Sequence, residues 1–327
     1  MIMSILNIFR RPNAGWRLKL MAIGNIVAMV YFITMTGICV YLSLFEIVPL
    51  AYGKTPETVY KHYGFILFIF LNVLGNFLMT FTTDTTVQRM YNQRLTRKDT
   101  KLVEKLTDEC AICSIKPPPR SHHCPLCDRC VLKRDHHCFF ITTCIGYHNQ
   151  KYFILYCFYM MLGTFYAVIL INVHMTILYR VRIAGPLSFI TLLPLTLVKY
   201  WTSNNVPPFL LFLVLMLYVS LFAGLFTAAV FYWQMTITIF GQTQHELWHG
   251  INKYGSKSMW KNFKDVFGSY WFISVVFPIP LPQEGAGVYR AKEKSSKDEE
   301  SQASATTGDR VGRKPITHKK KILKKMN

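Results

Sequence analysis

Residues 110–149 read CAICSIKPPPRSHHCPLCDRCVLKRDHHCFFITTCIGYHN, and this one stretch holds seven of the nine cysteines of the chain. Cys110 and Cys113 form one Cys-x-x-Cys pair, and Cys124, Cys127 and Cys130 repeat the two-residue spacer. Such a spacer lets two thiolates reach one ion, and zinc takes four nitrogen or sulfur ligands in a tetrahedron. Six cysteines (Cys110, Cys113, Cys124, Cys127, Cys130 and Cys144) and two histidines make eight ligands, enough for two closed sites. In a short secreted chain the same cysteines would suggest disulfides. Paired histidines on a basic loop instead favour a reduced compartment and metal. The Pro-rich run Lys116 to Arg120 and the Cys-Pro-Leu-Cys turn suit irregular knuckles, with structural zinc replacing a hydrophobic core.

This accounting leaves one loop cysteine over, Cys138, directly after Asp135, His136 and His137. A free thiol is only a few per cent thiolate near neutral pH and becomes a working nucleophile when an adjacent base takes its proton. His136 is placed to be that base, and Asp135 to hold the imidazole in the right tautomer. Arg134, Lys133 and the zinc charges would favour the thiolate further. The competing reading makes Cys138 a zinc ligand itself, or an inert thiol.

Around this loop the chain is divided by apolar runs. A helix needs about 20 apolar residues to cross ~30 Å of hydrocarbon. Four windows qualify: Met21 to Phe45, Phe65 to Phe81, Tyr152 to Leu178 and Phe209 to Phe231. A fifth run, Pro186 to Val198, is short and holds Pro186 and Pro194, so it reads as a re-entrant or interfacial piece. The expectation is an all-α polytopic membrane protein with four transmembrane helices and a small cytosolic two-zinc domain between the second and third. Basic residues set the orientation. Arg10, Arg11, Arg17 and Lys19 precede the first run, and Arg89, Arg94, Arg97 and Lys98 stand in the cysteine-rich loop, whereas the loop between runs one and two carries only Lys54 and Lys61. Both termini and the zinc loop are therefore expected in the cytosol. The divisions that follow are a cytosolic N-terminus (1–20), helices one and two (21–83), the cysteine-rich domain (84–150), helices three and four with a lumenal loop (151–235), a cytosolic juxtamembrane region (236–284) and a disordered basic tail (285–327). Residues Trp260, Phe263, Val266 and Phe267 recur at helical spacing, as in an interfacial helix or one packed on the zinc loop.

Composition agrees with a membrane setting. The net charge of +20 would suit a nucleic-acid binder, but the basic residues flank apolar runs and build no groove-reading element, so no nucleic acid is expected. Ile5 to Phe9 is too short an apolar core for a cleavable signal peptide.

The spacing Cys110-x2-Cys113-x9-His123-Cys124-x2-Cys127-x2-Cys130-x4-Asp135-His136-His137-Cys138-x5-Cys144-x4-Asn149 resembles that of the DHHC-type protein S-acyltransferases, or palmitoyltransferases. So does its position between the second and third of four spans. The resemblance implies an enzyme that moves a long-chain acyl group from acyl-CoA through Cys138 onto cysteines of substrate proteins, with His136 as base and Asp135 orienting it. It implies two structural zinc ions, one on Cys110, Cys113, His123 and Cys130, the other on Cys124, Cys127, His137 and Cys144. Asn149, Thr243, Glu246 and Asn262 would be structural supports. Here the family's Thr-Thr-x-Glu reads Thr243-Gln244-His245-Glu246, so Gln244 replaces the threonine expected to touch the aspartate.

On this reading the partners are membrane lipid, acyl-CoA and cytosolic-face proteins with free cysteines, and Lys133 and Arg134 are expected to meet the CoA phosphates. Cys39 and Cys157 fall within spans and read as small apolar residues. Lys324 and Lys325 resemble a dilysine retrieval signal, pointing to endoplasmic reticulum and Golgi; a polybasic lipid-binding tail is the alternative. The rival function is a membrane-anchored zinc adaptor without catalysis.

Overall fold

Each of the four apolar runs becomes one long helix. The computed structural model describes residues 8–9, 15–97, 108–183, 185–203 and 206–283. The expected N-terminal basic pair Arg10–Arg11, the disordered tail from 285 and the terminal dilysine lie outside the described residues. Helix α1 (Trp16–Tyr41) continues through a π-helical segment, Leu42–Ile47, into α2 (Val48–Tyr52), 37 residues in all. Pro49 explains the widening, since it has no N–H for the carbonyl one turn back and its ring crowds that carbonyl. The other long helices are α3 (Pro56–Thr82), α5 (Gln150–Tyr179) and α7 (Pro208–Phe240), of 27, 30 and 33 residues. At 1.5 Å per residue each exceeds ~30 Å of hydrocarbon. Among the described residues these four are long and apolar enough to cross a membrane. The protein is a multi-pass integral membrane protein.

Proline opens α3 and α7 at their first turns, where its missing N–H costs nothing. Gly241 ends α7 at φ 67°, and a Cβ there would sit 2.7 Å from Asn262 Oδ1. The helix thus runs nine residues past the apolar window that ended at Phe231, through Gln234 and Thr238, which are polar yet buried. Helix α5 is central: 56% of its most apolar window is buried, against 17% for the first span. It packs between α3 and α7 through Tyr156, Tyr159, Met160, Leu170 and Ile171.

The fifth apolar run is a helix too, α6 (Pro186–Ser203), longer than its sequence suggested and unbroken by Pro194. The Tyr218 hydroxyl from α7 donates to Phe189 O and accepts from Leu193 N–H at 3.3 Å, standing in for the bond that the helix opens before the proline.

Between α3 and α5 lie α4 (Val87–Arg97) and two antiparallel hairpins, β1 (His122–Cys124) with β2 (Arg129–Val131) and β3 (His136–Cys138) with β4 (Thr143–Ile145). After α7 come α8 (Gln244–Trp248), α9 (Met259–Phe267) and α10 (Trp271–Val276). Helix α9 buries one face against the helix bundle. Val266 and Phe267 are buried against Ile154 and Leu155 at the start of α5, while Met259 and Trp260 stay exposed.

Candidate active site and metal centres

Three-residue strands decide where the loop side chains go, because neighbours along a strand point to opposite faces. His136 and Cys138 share one face of β3 and His137 takes the other; His122 and Cys124 are likewise opposed to His123. Pairing register then brings His123 beside Cys130 and His137 beside Cys144. Each hairpin therefore supplies a histidine and a cysteine from adjacent strands, and a Cys-x-x-Cys knuckle completes each set.

The result is two quartets, Cys110, Cys113, His123 and Cys130, and Cys124, Cys127, His137 and Cys144, with ligand atoms in each within 4.8 Å of one another. In the second, His137 Nδ1 lies 3.6, 3.3 and 3.6 Å from the sulfurs of Cys124, Cys127 and Cys144, and Cys127 and Cys144 Sγ are 3.7 Å apart. A zinc tetrahedron with Zn–S near 2.3 Å and Zn–N near 2.0 Å has edges of about 3.5 Å (S–N) and 3.8 Å (S–S). These clusters fit zinc sites. All nine cysteines are described and none is in a disulfide. The other ring nitrogen of His137, Nε2, meets Asn25 Oδ1 at 3.2 Å, so a fully buried side chain of α1 fixes the ligand's orientation.

The interleaving follows a repeat. Every ligand of the second quartet stands 14 residues after its counterpart in the first: Cys110 and Cys124, Cys113 and Cys127, His123 and His137, Cys130 and Cys144. Backbone conformation keeps the same step, with Ser114, Asp128 and Thr142 all at φ between 51° and 57°. Cys138 thus opens a third knuckle turn, but its partner position holds Ile141, which is wholly buried. The thiol sits at a ligand position of the repeat with no second cysteine, outside both quartets.

On the shared face of β3, His136 lines the same cavity as Cys138, and its Nδ1 lies 2.7 Å from Asp135 Oδ2. Burial works against a charged imidazole, but Asp135 and the Cys138 sulfur outweigh it and raise the His136 pKa to about 10. Burial likewise pushes Asp135 up, yet His136, the Gln244 N–H and Gln234 hold its carboxyl below the ordinary range. The arrangement sets a thiol, an imidazole and a carboxylate close together.

The DHHC palmitoyltransferase family model matches residues 103–251, which spans both quartets and this line of residues. The chain carries a DHHC palmitoyltransferase domain over these residues. It is 29% identical over 285 residues to palmitoyltransferase ZDHHC22 of Danio rerio, covering 83% of this chain and 95% of that one. It is also 29% identical over 264 residues to ZDHHC22 of Mus musculus (78% and 92% of the two chains), and 30% identical over 177 residues to ZDHHC3 of Rattus norvegicus (53% of each).

The variant Gln244 leaves the aspartate contact in place, because the backbone N–H of residue 244, not its side chain, donates to Asp135 Oδ1 at 2.6 Å. The second oxygen accepts from Gln234 Nε2 on α7 at 2.8 Å, a partner the sequence reading missed. Thr243 and Glu246 form a capping box at the start of α8, Thr243 Oγ1 accepting from Glu246 N and Glu246 Oε2 from Thr243 N. Glu246 also takes a bidentate pair from Arg120, at 2.6 and 2.7 Å, with both side chains buried. Arg120 was not among the residues singled out from the sequence.

Asn149 is wholly buried, donating to Thr80 O and Cys144 O and accepting from Gly146 N, so it ties α3, β4 and α5 together. Asn262 donates to Ile239 O and Ser256 O, fastening α9 to the end of α7.

Lys133 overturns its expectation. It is buried, 4% exposed, with Nζ 3.2 Å from Gln150 Oε1, and cannot meet phosphates in solvent. Burial and the Arg120 charge lower its pKa to about 7. Arg134 is half-buried with its guanidinium against the Cys144 and Cys124 sulfurs, whose charge outweighs burial and raises its pKa.

Cys138 is 6% exposed and opens on a 430 Å³ chamber walled by Phe140, Phe153, Tyr156, Phe226, Val230 and Trp233. Cys157, expected as a plain span residue, lines the same chamber. A second cavity of 90 Å³ lies between the helices, among Met35, Cys39, Ile66, Val73, Gly163 and Ser220.

Proposed function

We propose that this protein is a palmitoyltransferase that carries a long-chain acyl group from acyl-CoA on Cys138 and delivers it to cysteines of proteins at the cytosolic membrane face. One observation carries the reading: a cysteine outside both metal quartets, beside a hydrogen-bonded Asp-His pair, opens into an apolar chamber between membrane helices.

The chemistry balances with these residues alone. The Cys138 thiolate attacks the thioester carbonyl and the C–S bond to CoA breaks. Imidazolium of His136, held protonated to about pH 10, gives its proton to the departing CoA thiolate. Neutral His136 then takes the proton of a substrate thiol, which attacks the acyl-Cys138 carbonyl and releases the Cys138 thiolate. Thioester replaces thioester, so the work is in positioning and proton transfer. The acyl chain, worth roughly 0.8 kcal/mol per buried CH₂, stays among the helices. Next to the chamber, His122, His245, Lys253 and Tyr254 line a 370 Å³ cleft that suits the nucleotide end of the donor; Gln244 and His245 are consecutive residues on the two cavities. Zinc on the two quartets would brace the hairpins that aim Cys138.

The orientation with both termini and the zinc region in the cytosol rests on the basic residues around the spans, and residence in the endoplasmic reticulum and Golgi on Lys324 and Lys325. Incubating the purified protein with labelled palmitoyl-CoA tests the activity. The expected result is a hydroxylamine-sensitive label absent from Cys138→Ser; a zinc adaptor would take no label.

A further inference from the structure

From Leu247 to Gln283 the chain carries a single acidic residue, Asp265, and it is buried. The same stretch holds Lys257, Lys261 and Lys264 on α9 and its approach, and it exposes Met259, Trp260, Phe272, Val276, Phe277 and Ile279. What the opposite side touches fixes the depth of this surface. The Tyr159 hydroxyl donates to Val275 O at 2.6 Å, and Pro278 presses on Gly75, where a Cβ would clash with its ring. At ~1.5 Å per residue, Tyr159 lies about 13 Å inside the start of α5 and Gly75 about 10 Å inside the end of α3. Helix α5 is about 45 Å long against ~30 Å of hydrocarbon, which leaves roughly 7 Å outside at either end. Helix α10 and the residues after it therefore reach the hydrocarbon boundary. Helix α9, packed on Ile154 and Leu155, stands at headgroup level.

We propose that α9 and α10 form a binding surface for anionic phospholipid in the leaflet nearest the hairpins, with Phe272 and Phe277 among the acyl chains and Lys257, Lys261 and Lys264 on the headgroups. Charge complementarity selects this occupant. A basic surface with no exposed carboxylate attracts an anionic one, and lysines beside exposed aromatic rings suit a headgroup boundary. The rings are braced for it. Trp260 stacks on Phe263 at 5.3 Å and meets Trp271 edge-on at 6.2 Å, while Lys264 Nζ stands over the Trp260 ring at 5.5 Å. An acidic soluble protein would match the lysines but leave the apolar residues of α10 uncovered. A lipid satisfies both. The proposal stands apart from the acyl-transfer reading, and its test reads lipid contact.

Tryptophan fluorescence of the full chain in phosphatidylcholine vesicles tests this, with a small fixed fraction of the lipid brominated on its acyl chains, either phosphatidylserine or phosphatidylcholine. The quenching that disappears in Trp260→Phe is the share of Trp260. That share should be at least about threefold larger with brominated phosphatidylserine, since each lysine near an anionic surface shifts lipid preference by about fivefold. The excess should vanish when Lys257, Lys261 and Lys264 are all changed to Gln, and in wild type at about 1 M salt. If the triple variant loses thermal stability, the salt series on wild type decides alone. Phe272→Trp should add emission that either brominated lipid quenches, and an unquenched signal would take α10 out of the bilayer. Equal quenching of Trp260 by the two lipids would leave an apolar contact with no headgroup preference and overturn the site. No quenching of Trp260 by either would assign the lysines to a protein partner, and the lipid surface would be wrong.

Discussion

The backbone N–H of Gln244 points at Oδ1 of Asp135 from 2.6 Å, so the carboxylate is oriented by a group that every residue except proline carries. A family position usually filled by threonine can therefore vary without loss of the contact. Gln244→Thr and Gln244→Ala should keep acyl-enzyme formation within about threefold of wild type, since neither removes that hydrogen bond. Gln244→Pro is the informative change. Residue 244 is the first of α8, where proline is favoured, and Thr243 before it is already extended at φ −103°, ψ 163°. The fold tolerates the proline and only the donor disappears. A hydrogen bond to a charged group is worth roughly 1.5–3 kcal/mol, so the acylation rate should fall about 10- to 100-fold. A fully active Gln244→Pro would show that the contact is idle.

Proton transfer sets the pH dependence. In the proposed mechanism acylation needs imidazolium at His136, and its pKa is raised to about 10, so single-turnover acylation should hold level above neutral pH and fall as pH passes about 10. Asp135 is the largest of the groups that raise this value. In Asp135→Asn the alkaline limb should move down toward the ordinary histidine value of about 6.5. Rapid-quench pH profiles of the two proteins check the sign, and a limb that stays put in the variant would remove Asp135 from the proton relay.

Much of this site was legible in the chain. Apolar runs fixed four spans because hydrocarbon admits little else, and thiolate spacing announced two ions. What escaped the reading has particular causes. Gln234 stands past an apolar window and looked like the end of a span, yet the helix carries it inward to Asp135. Arg120 and Glu246 are 126 residues apart, and no local pattern joins them. Lys133 looked like a surface cation because charge in a loop usually is one; its burial is a tertiary fact. The interleaved ligand pairing is different, since the 14-residue step was present in the spacing all along.

Asn25 makes a test that leaves every ligand untouched. It lies in α1, wholly buried, with Oδ1 3.2 Å from His137 Nε2. Partners of this kind commonly contribute 10- to 100-fold in metal affinity. Asn25→Val should thus speed zinc release from one of two sites to a chelator, with the other site unchanged. Equal release from both sites, or from neither, would separate Asn25 from the metal.

The Arg120–Glu246 pair joins the first hairpin to α8, and its burial makes the energetics asymmetric. Removing one partner leaves the other charged and desolvated, which costs about 3–5 kcal/mol, whereas replacing both with apolar side chains of similar size is often neutral. Arg120→Met and Glu246→Gln should each lower the thermal midpoint of the purified protein sharply and slow acylation, because α8 then no longer holds Gln244 against Asp135. The double variant Arg120→Met with Glu246→Met should be more stable than either single change. It should not regain full activity, since Glu246 also accepts from Thr243 N at 2.9 Å in the capping box. Stability that falls additively would mean the two side chains act independently, and the link from hairpin to aspartate would then have to run elsewhere.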